Sequence, residues 1–274
     1  LAVGTWVAGT AVMARMLLLG VPSWRGAAIA MAIAASVLWL WYLFLVLRGF
    51  RAIMAAHDRL RATGRILLSA VSTQSLALVA WDLVPHSGFL HALVASLIVL
   101  GFLLYGVGLV LIIQRYRRAT RWTLAEDWDN TNCILHGAMS ISGLAIAYTG
   151  VLPEALGIAT WFYVLAVFVA VEVIEVARMI MRLRDHGLRR GIFTYHVSQW
   201  SRNFTFGMFY AFTLALAPAL ASHPSLSPIV PFVGFLIAYG PYLVLLFLLL
   251  QAGLWISANA EFGARISRHA VAER

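Results

Sequence analysis

Glu172 and Glu175 stand inside the otherwise apolar run VLAVFVAVEVIEVARMIM, with Arg178 three residues beyond the second of them. A charge within a membrane span is costly and is ordinarily paired or in contact with water. Glu175 and Arg178, at i and i+3, share a helix face and can pair. The two carboxylates admit three chemistries. One is an internal or intersubunit ion pair. Another is proton transfer, since one carboxylate of a close buried pair can hold a proton. The last is a metal site completed by the imidazoles of His136 and His196, a donor set suited to iron, manganese or zinc. The ion pair is preferred, because E-x-x-E lacks the E-x-x-H spacing that marks di-iron bundles. Arg202 is a further charge within an apolar run. Uncharged polar or small residues recur at helical spacing: Thr5 and Gly9; Ser72, Thr73 and Gln74; His136 and Ser140; His196, Gln199 and Asn203.

The elements that must carry these residues are long and apolar. Runs of about 20 apolar residues, enough for a helix to cross ~30 Å of hydrocarbon, fall near 2–20, 27–48, 66–84, 90–114, 131–151, 156–181, 197–221 and 230–257. The chain is 62% hydrophobic and 11% charged, against about 25% charged in an average soluble domain. The expectation is an all-α, polytopic membrane bundle of about eight spans arranged as hairpins, forming one transmembrane domain over residues 1–274. The odd spans hold the small and polar bands and the even ones are nearly pure hydrocarbon. Small and hydroxyl residues also serve ordinary close packing between membrane helices. Their confinement to the odd spans is explained more directly by an inner ring around a pore, with the even spans outside.

Arginine sets the expected orientation, since basic residues are retained on the cytoplasmic side in short loops. Arg48, Arg51, Arg59, Arg61 and Arg65 follow the second span; Arg115, Arg117, Arg118 and Arg121 the fourth; Arg182, Arg184, Arg189 and Arg190 the sixth; Arg265, Arg268 and Arg274 the eighth. The connections around Pro85, Pro153 and Pro224 have none. A multi-pass protein of the cell inner membrane with both termini cytoplasmic is therefore expected. The formal charge of +9 is carried without a single lysine. These arginines suit contact with anionic lipid headgroups, or an anion-attracting vestibule.

Several function classes are disfavoured. No extramembrane module is present to hold nucleic acid, and the lone Cys133 excludes an intrachain disulfide or a cysteine zinc site. No Walker loop, dinucleotide fingerprint, hydrolase elbow or HExxH occurs, so neither an enzymatic reaction nor a cofactor is expected. Glu126, Asp127 and Asp129 read as N-terminal caps of the fifth span. For Arg15, outward snorkelling and a lumen-facing position both remain open.

The segments GTWVAGTAVM, RILLSAVSTQSLALVAW, DWDNTNCILHGAMSISGLA and RNFTFGMFYAFTLAL resemble the third, fifth, seventh and ninth helices of the tellurite-resistance/dicarboxylate transporter family, which includes the slow-type anion channels. The resemblance covers most of the chain, VSTQSLA being its most specific piece. It implies family helices three to ten without the first hairpin, a pore walled by odd helices, and assembly as a homotrimer. It also implies a channel or secondary transporter for small anions such as dicarboxylates, monocarboxylates or inorganic oxyanions, in which a phenylalanine of the ninth helix is the gate. Motif position gives that role to Phe204. Helical spacing from Gln199 and Asn203 gives it to Phe206. The alternatives are a membrane metalloprotein using His136, His196, Glu172 and Glu175, and a non-conducting subunit of a larger membrane assembly.

Overall fold

The computed structural model describes residues 3–55, 62–84, 86–119, 122–191 and 193–272. Arg59, Arg61, Arg121, Arg274 and Pro85 lie outside the described residues, as do the side chains of Arg189, Arg190, Arg265 and Arg268. All regular structure among the described residues is helical: α1 (Val3–Gly20), α2 (Arg25–Ala55), α3 (Leu68–Leu83), α4 (Gly88–Arg118), the single turn α5 (Leu124–Asp127), α6 (Ile134–Thr149), α7 (Glu154–Gly191), α8 (Trp200–Ser222) and α9 (Val230–Ala272). Helices satisfy their own backbone groups, which lipid cannot do for them.

Six helical segments are long and apolar enough to cross a membrane: α1, α2, α3, α4, α8 and α9, with their adjoining 3-10 turns. Two of the eight expected spans stand apart from these. The sixteen residues of α6 follow a 3-10 turn at Asn130–Cys133. In α7, 38 residues long, charge accumulates along the second half and the helix is interrupted at Gly187, whose φ of 72° is open to glycine without strain.

Local signals set the ends. Ser87 caps α4 by accepting from the Leu90 N–H (3.2 Å), and Arg115, Arg117 and Arg118 occupy its last turn, where cations oppose the helix dipole. Asp129 accepts from Thr131 N–H (2.8 Å) at the turn leading into α6, as the acidic run before that span suggests. Asp127 instead accepts from Thr123 N–H (2.7 Å), and Glu126 meets Arg182 (3.4 Å).

Burial separates the helices. Ser69 through Val79 of α3 are all buried, and α6 is buried along nearly its whole length. On α2, α4 and α9, large apolar side chains such as Leu40, Phe44, Leu103 and Leu249 are exposed, as are Trp6, Met13 and Met16 on α1. The odd-span helices pack in the order α1, α3, α6, α8, while α1 and α8 form no packed interface with one another among the described residues. Glycine permits the closest of these approaches: a Cβ on Gly137 would lie 2.2 Å from the Thr205 side chain, and one on Gly143 2.1 Å from the Phe212 ring. Described residues of the arginine-rich connections gather at one end of the bundle. Arg25, at the start of α2, is an arginine at the other end that the loop pattern passes over.

Candidate functional site

A cavity of about 760 Å³ opens at the arginine-rich end. The segment from α5 to the turn at Asn130–Cys133 forms one wall, α7 and the start of α8 the floor, and α9 the far wall. Its lining brings together His196, Gln199, Asn203, Glu172, Glu175, Arg178 and Arg202, seven of the residues singled out in the sequence.

The carboxylates are already engaged. Glu175 accepts from the Trp128 indole N–H (2.8 Å) and lies 3.6 Å from both Arg178 and Arg202. Glu172 is paired with Arg202 at 3.0 Å. Arg178 also donates to Asn130 Oδ1 and to the Ala125 carbonyl (3.2 Å), tying α7 to the α5 segment. The charges of the lining balance: Arg65, Arg115, Arg178, Arg182 and Arg202 face Glu126, Asp127, Asp129, Glu172 and Glu175.

His196 and Gln199 build the entrance to α8. The His196 ring accepts from Ser198 N–H, and the Gln199 side chain accepts from His196 N–H (3.2 Å), a reciprocal cap on Val197–Gln199. Among the described residues no three His, Cys, Asp or Glu side chains group to hold an ion. His196 is held in its cap, Glu172 and Glu175 are held by arginines, and His136 sits behind aromatic rings. The proposed set of four is not assembled, which corrects the metalloprotein alternative.

At its inner end the cavity meets Phe247, whose ring packs on Phe206 (centroids 5.2 Å apart). Phe206 in turn meets Phe168 (4.9 Å) and His136 (6.2 Å), and Phe168 continues to Phe209 and Trp161. An aromatic layer thus separates the polar cavity from His136, which is fully buried with neither ring nitrogen hydrogen-bonded. Of the two gate candidates, Phe206 joins this layer. Phe204 is half-buried and enters none of these ring contacts.

The other expected pore residues lie elsewhere. Ser72 and Thr73 donate to the Ser69 carbonyl (3.1 and 2.8 Å), Ser140 to the His136 carbonyl (2.8 Å), and Gln74 to Ile98 O on α4 (3.0 Å). Each of the three hydroxyls donates to a carbonyl of its own helix, while Gln74 Oε1 is buried without a hydrogen-bond partner. Thr5 and Gly9 are exposed on the face of α1 away from its packed side, and nothing lies within 4 Å of a Cβ placed on Gly9.

Sequence reading missed a second polar cluster, at the opposite end. Arg15 on α1 pairs with Asp82 on α3 at 2.6 Å, Tyr148 on α6 donates to Asp82 (2.8 Å), and the Arg15 guanidinium lies 4.1 Å over the Tyr148 ring. The available signal was that intramembrane charges come in pairs; Arg15 is the charge within the first span and Asp82 the one within the third. Trp128 gave no such signal, since its carboxylate partner is 47 residues away. No family model, curated protein or solved structure matches this chain.

Proposed function

We propose that this protein is a membrane channel or secondary transporter for small anions, whose route begins in the arginine-lined cavity and is closed by the aromatic layer at Phe206. The supporting observation is the sequence of environments along α8: a charged cavity at Arg202 and Asn203, aromatic rings at Phe206, and the buried His136 behind them. A hydrophobic constriction blocks ions by making their dehydration costly. The resemblance to the tellurite-resistance/dicarboxylate transporter family supports the same reading. In this reading eight spans cross the inner membrane with the arginine-rich end and both termini cytoplasmic, and α1, α3, α6 and α8 are the inner helices of each subunit of a homotrimer. Dicarboxylates, monocarboxylates and inorganic oxyanions are the solute class. No covalent step is involved. Liposomes carrying the purified protein should pass at least one of chloride, malate and sulfite faster than empty liposomes; absence of flux for all three would reject transport.

One observation favours a second reading, a non-conducting subunit of a larger membrane assembly. The Ser72, Thr73 and Ser140 hydroxyls on the polar faces of α3 and α6 are bonded to the carbonyls of their own helices, so those helices have the polarity of a pore wall without turning these hydroxyls to a solute. Co-purification of a stoichiometric partner together with absent flux would select it.

A further inference from the structure

The cavity at the arginine-rich end has a side that faces outward between α7 and α9, two helices that share no packed interface among the described residues. Val176 and Met179 on α7 and Leu250 on α9 line it and are also exposed on the outside of the bundle. Its rim is therefore apolar and continuous with the surface that these helices turn toward lipid. The floor is different. Glu172 Oε1, Asn203 Nδ2 and Gln251 Nε2 belong to residues that line the same cavity, all three atoms are buried, and none has a hydrogen-bond partner. Gln251 as a whole is only 8% exposed.

A buried polar atom left unpaired is expensive, and folded proteins rarely keep one without a water, an ion or a ligand to complete it. The three atoms specify what would complete them: two N–H groups require acceptor oxygens, and the carboxylate oxygen requires an N–H donor. The five arginines and five carboxylates of the lining cancel, so the site favours a ligand with both poles over a net anion. Depth is set by the aromatic residues at this end. Tyr116, Trp122 and Trp128 cluster there, and Trp128 reaches Glu175, within one turn of Glu172. Trp and Tyr favour the headgroup level of a bilayer.

We propose that this cavity is a lateral binding site for a phospholipid with a phosphoethanolamine headgroup. The phosphate oxygens accept from Asn203 and Gln251, the ammonium donates to Glu172, and the acyl chains lie over Val176, Met179 and Leu250. Phosphocholine has no N–H to offer Glu172, and phosphoglycerol brings a net negative charge without an ammonium. The site does not depend on the transport reading, because a non-conducting subunit would bind the same lipid.

The test is native mass spectrometry of the full chain in detergent, with equimolar phosphatidylethanolamine, phosphatidylcholine and phosphatidylglycerol of identical acyl chains. The ethanolamine lipid should be retained about tenfold over either competitor, the worth of one hydrogen bond to a charged group. Gln251→Leu removes an unpaired buried donor and one contact to the phosphate that all three lipids share, so the variant should fold at least as stably and retain the ethanolamine lipid about tenfold less. Asn203→Leu makes the same prediction by a second route. Soluble glycerophosphoethanolamine at the same concentration should not displace the lipid. Equal or better retention of either competitor by the parent overturns the proposal, as does undiminished retention of the ethanolamine lipid in both variants. Displacement by the soluble headgroup overturns the lipid as occupant.

Discussion

Arg202 serves two carboxylates and Glu172 serves one arginine, which makes the ion network asymmetric under substitution. Arg202→Gln removes the contacts to Glu172 at 3.0 Å and to Glu175 at 3.6 Å, leaving Glu175 with Arg178 and Glu172 without an arginine partner. Glu172→Gln leaves Arg202 still held by Glu175, and the amide oxygen can accept the same hydrogen bond. Breaking a buried pair from one side costs about 3–5 kcal/mol. The Arg202 side chain is 34% exposed and that of Glu172 23%, so partial contact with solvent moves the estimate to the low end: about 3 kcal/mol for Arg202→Gln and about 1 kcal/mol for Glu172→Gln. The double variant restores charge balance around Glu175 and Arg178 and should cost no more than Arg202→Gln alone. Equilibrium unfolding of the four proteins in one detergent, read by tryptophan fluorescence, measures the cycle. Strict additivity, or a costlier Glu172→Gln than Arg202→Gln, would refute the network.

Gly143→Ala places a methyl 2.1 Å from the Phe212 ring and should destabilise the α6–α8 contact by about 1–3 kcal/mol; thermal unfolding within error of the parent would show that the approach is looser than described. Asp82→Asn breaks the pair with Arg15, whose side chains are 13% and 7% exposed, and should cost about 3 kcal/mol, whereas Tyr148→Phe should cost about 1 kcal/mol; the reverse ranking would contradict the cluster. For topology, cysteines introduced at the exposed Ser225 and Asp185 should react with an impermeant thiol reagent in intact cells only at Ser225, with buried Cys133 silent; labelling only at Asp185 would invert the orientation.

The sequence was legible where a single helix carries the information. Six of the eight expected spans, the pairing of Glu175 with Arg178 and the capping by Asp129 all depend on neighbours close in sequence. Motif position favoured Phe204 over Phe206, and the ring contacts that set Phe206 apart are made with Phe168 and Phe247, which are distant in sequence. The rest depends on partners distant in sequence. Arg15 and Asp82 are 67 residues apart, and Arg202 and Glu172 are 30 apart. A serine in a span also reads alike whether it faces water or its own carbonyl four residues back. Ser72, Thr73 and Ser140 look like pore lining in the sequence, and in the fold their hydroxyls donate to carbonyls three or four residues back. His196 and Gln199 look like pore lining in the sequence, and His196 also like a metal ligand; in the fold they form a reciprocal cap, which uses the same polar atoms as a binding site.

The central claim is that the aromatic layer at Phe206 closes an anion route leading from the arginine-lined cavity. Anion flux into liposomes at equal incorporation of folded protein, comparing the parent with Phe206→Ala, Phe206→Leu and Phe204→Ala, tests it most directly. Truncating Phe206 opens the ring contacts to Phe168 and Phe247, so flux should rise strongly for Phe206→Ala, less for Phe206→Leu and not for Phe204→Ala. Unchanged flux in both Phe206 variants, or an increase confined to Phe204→Ala, would contradict the account.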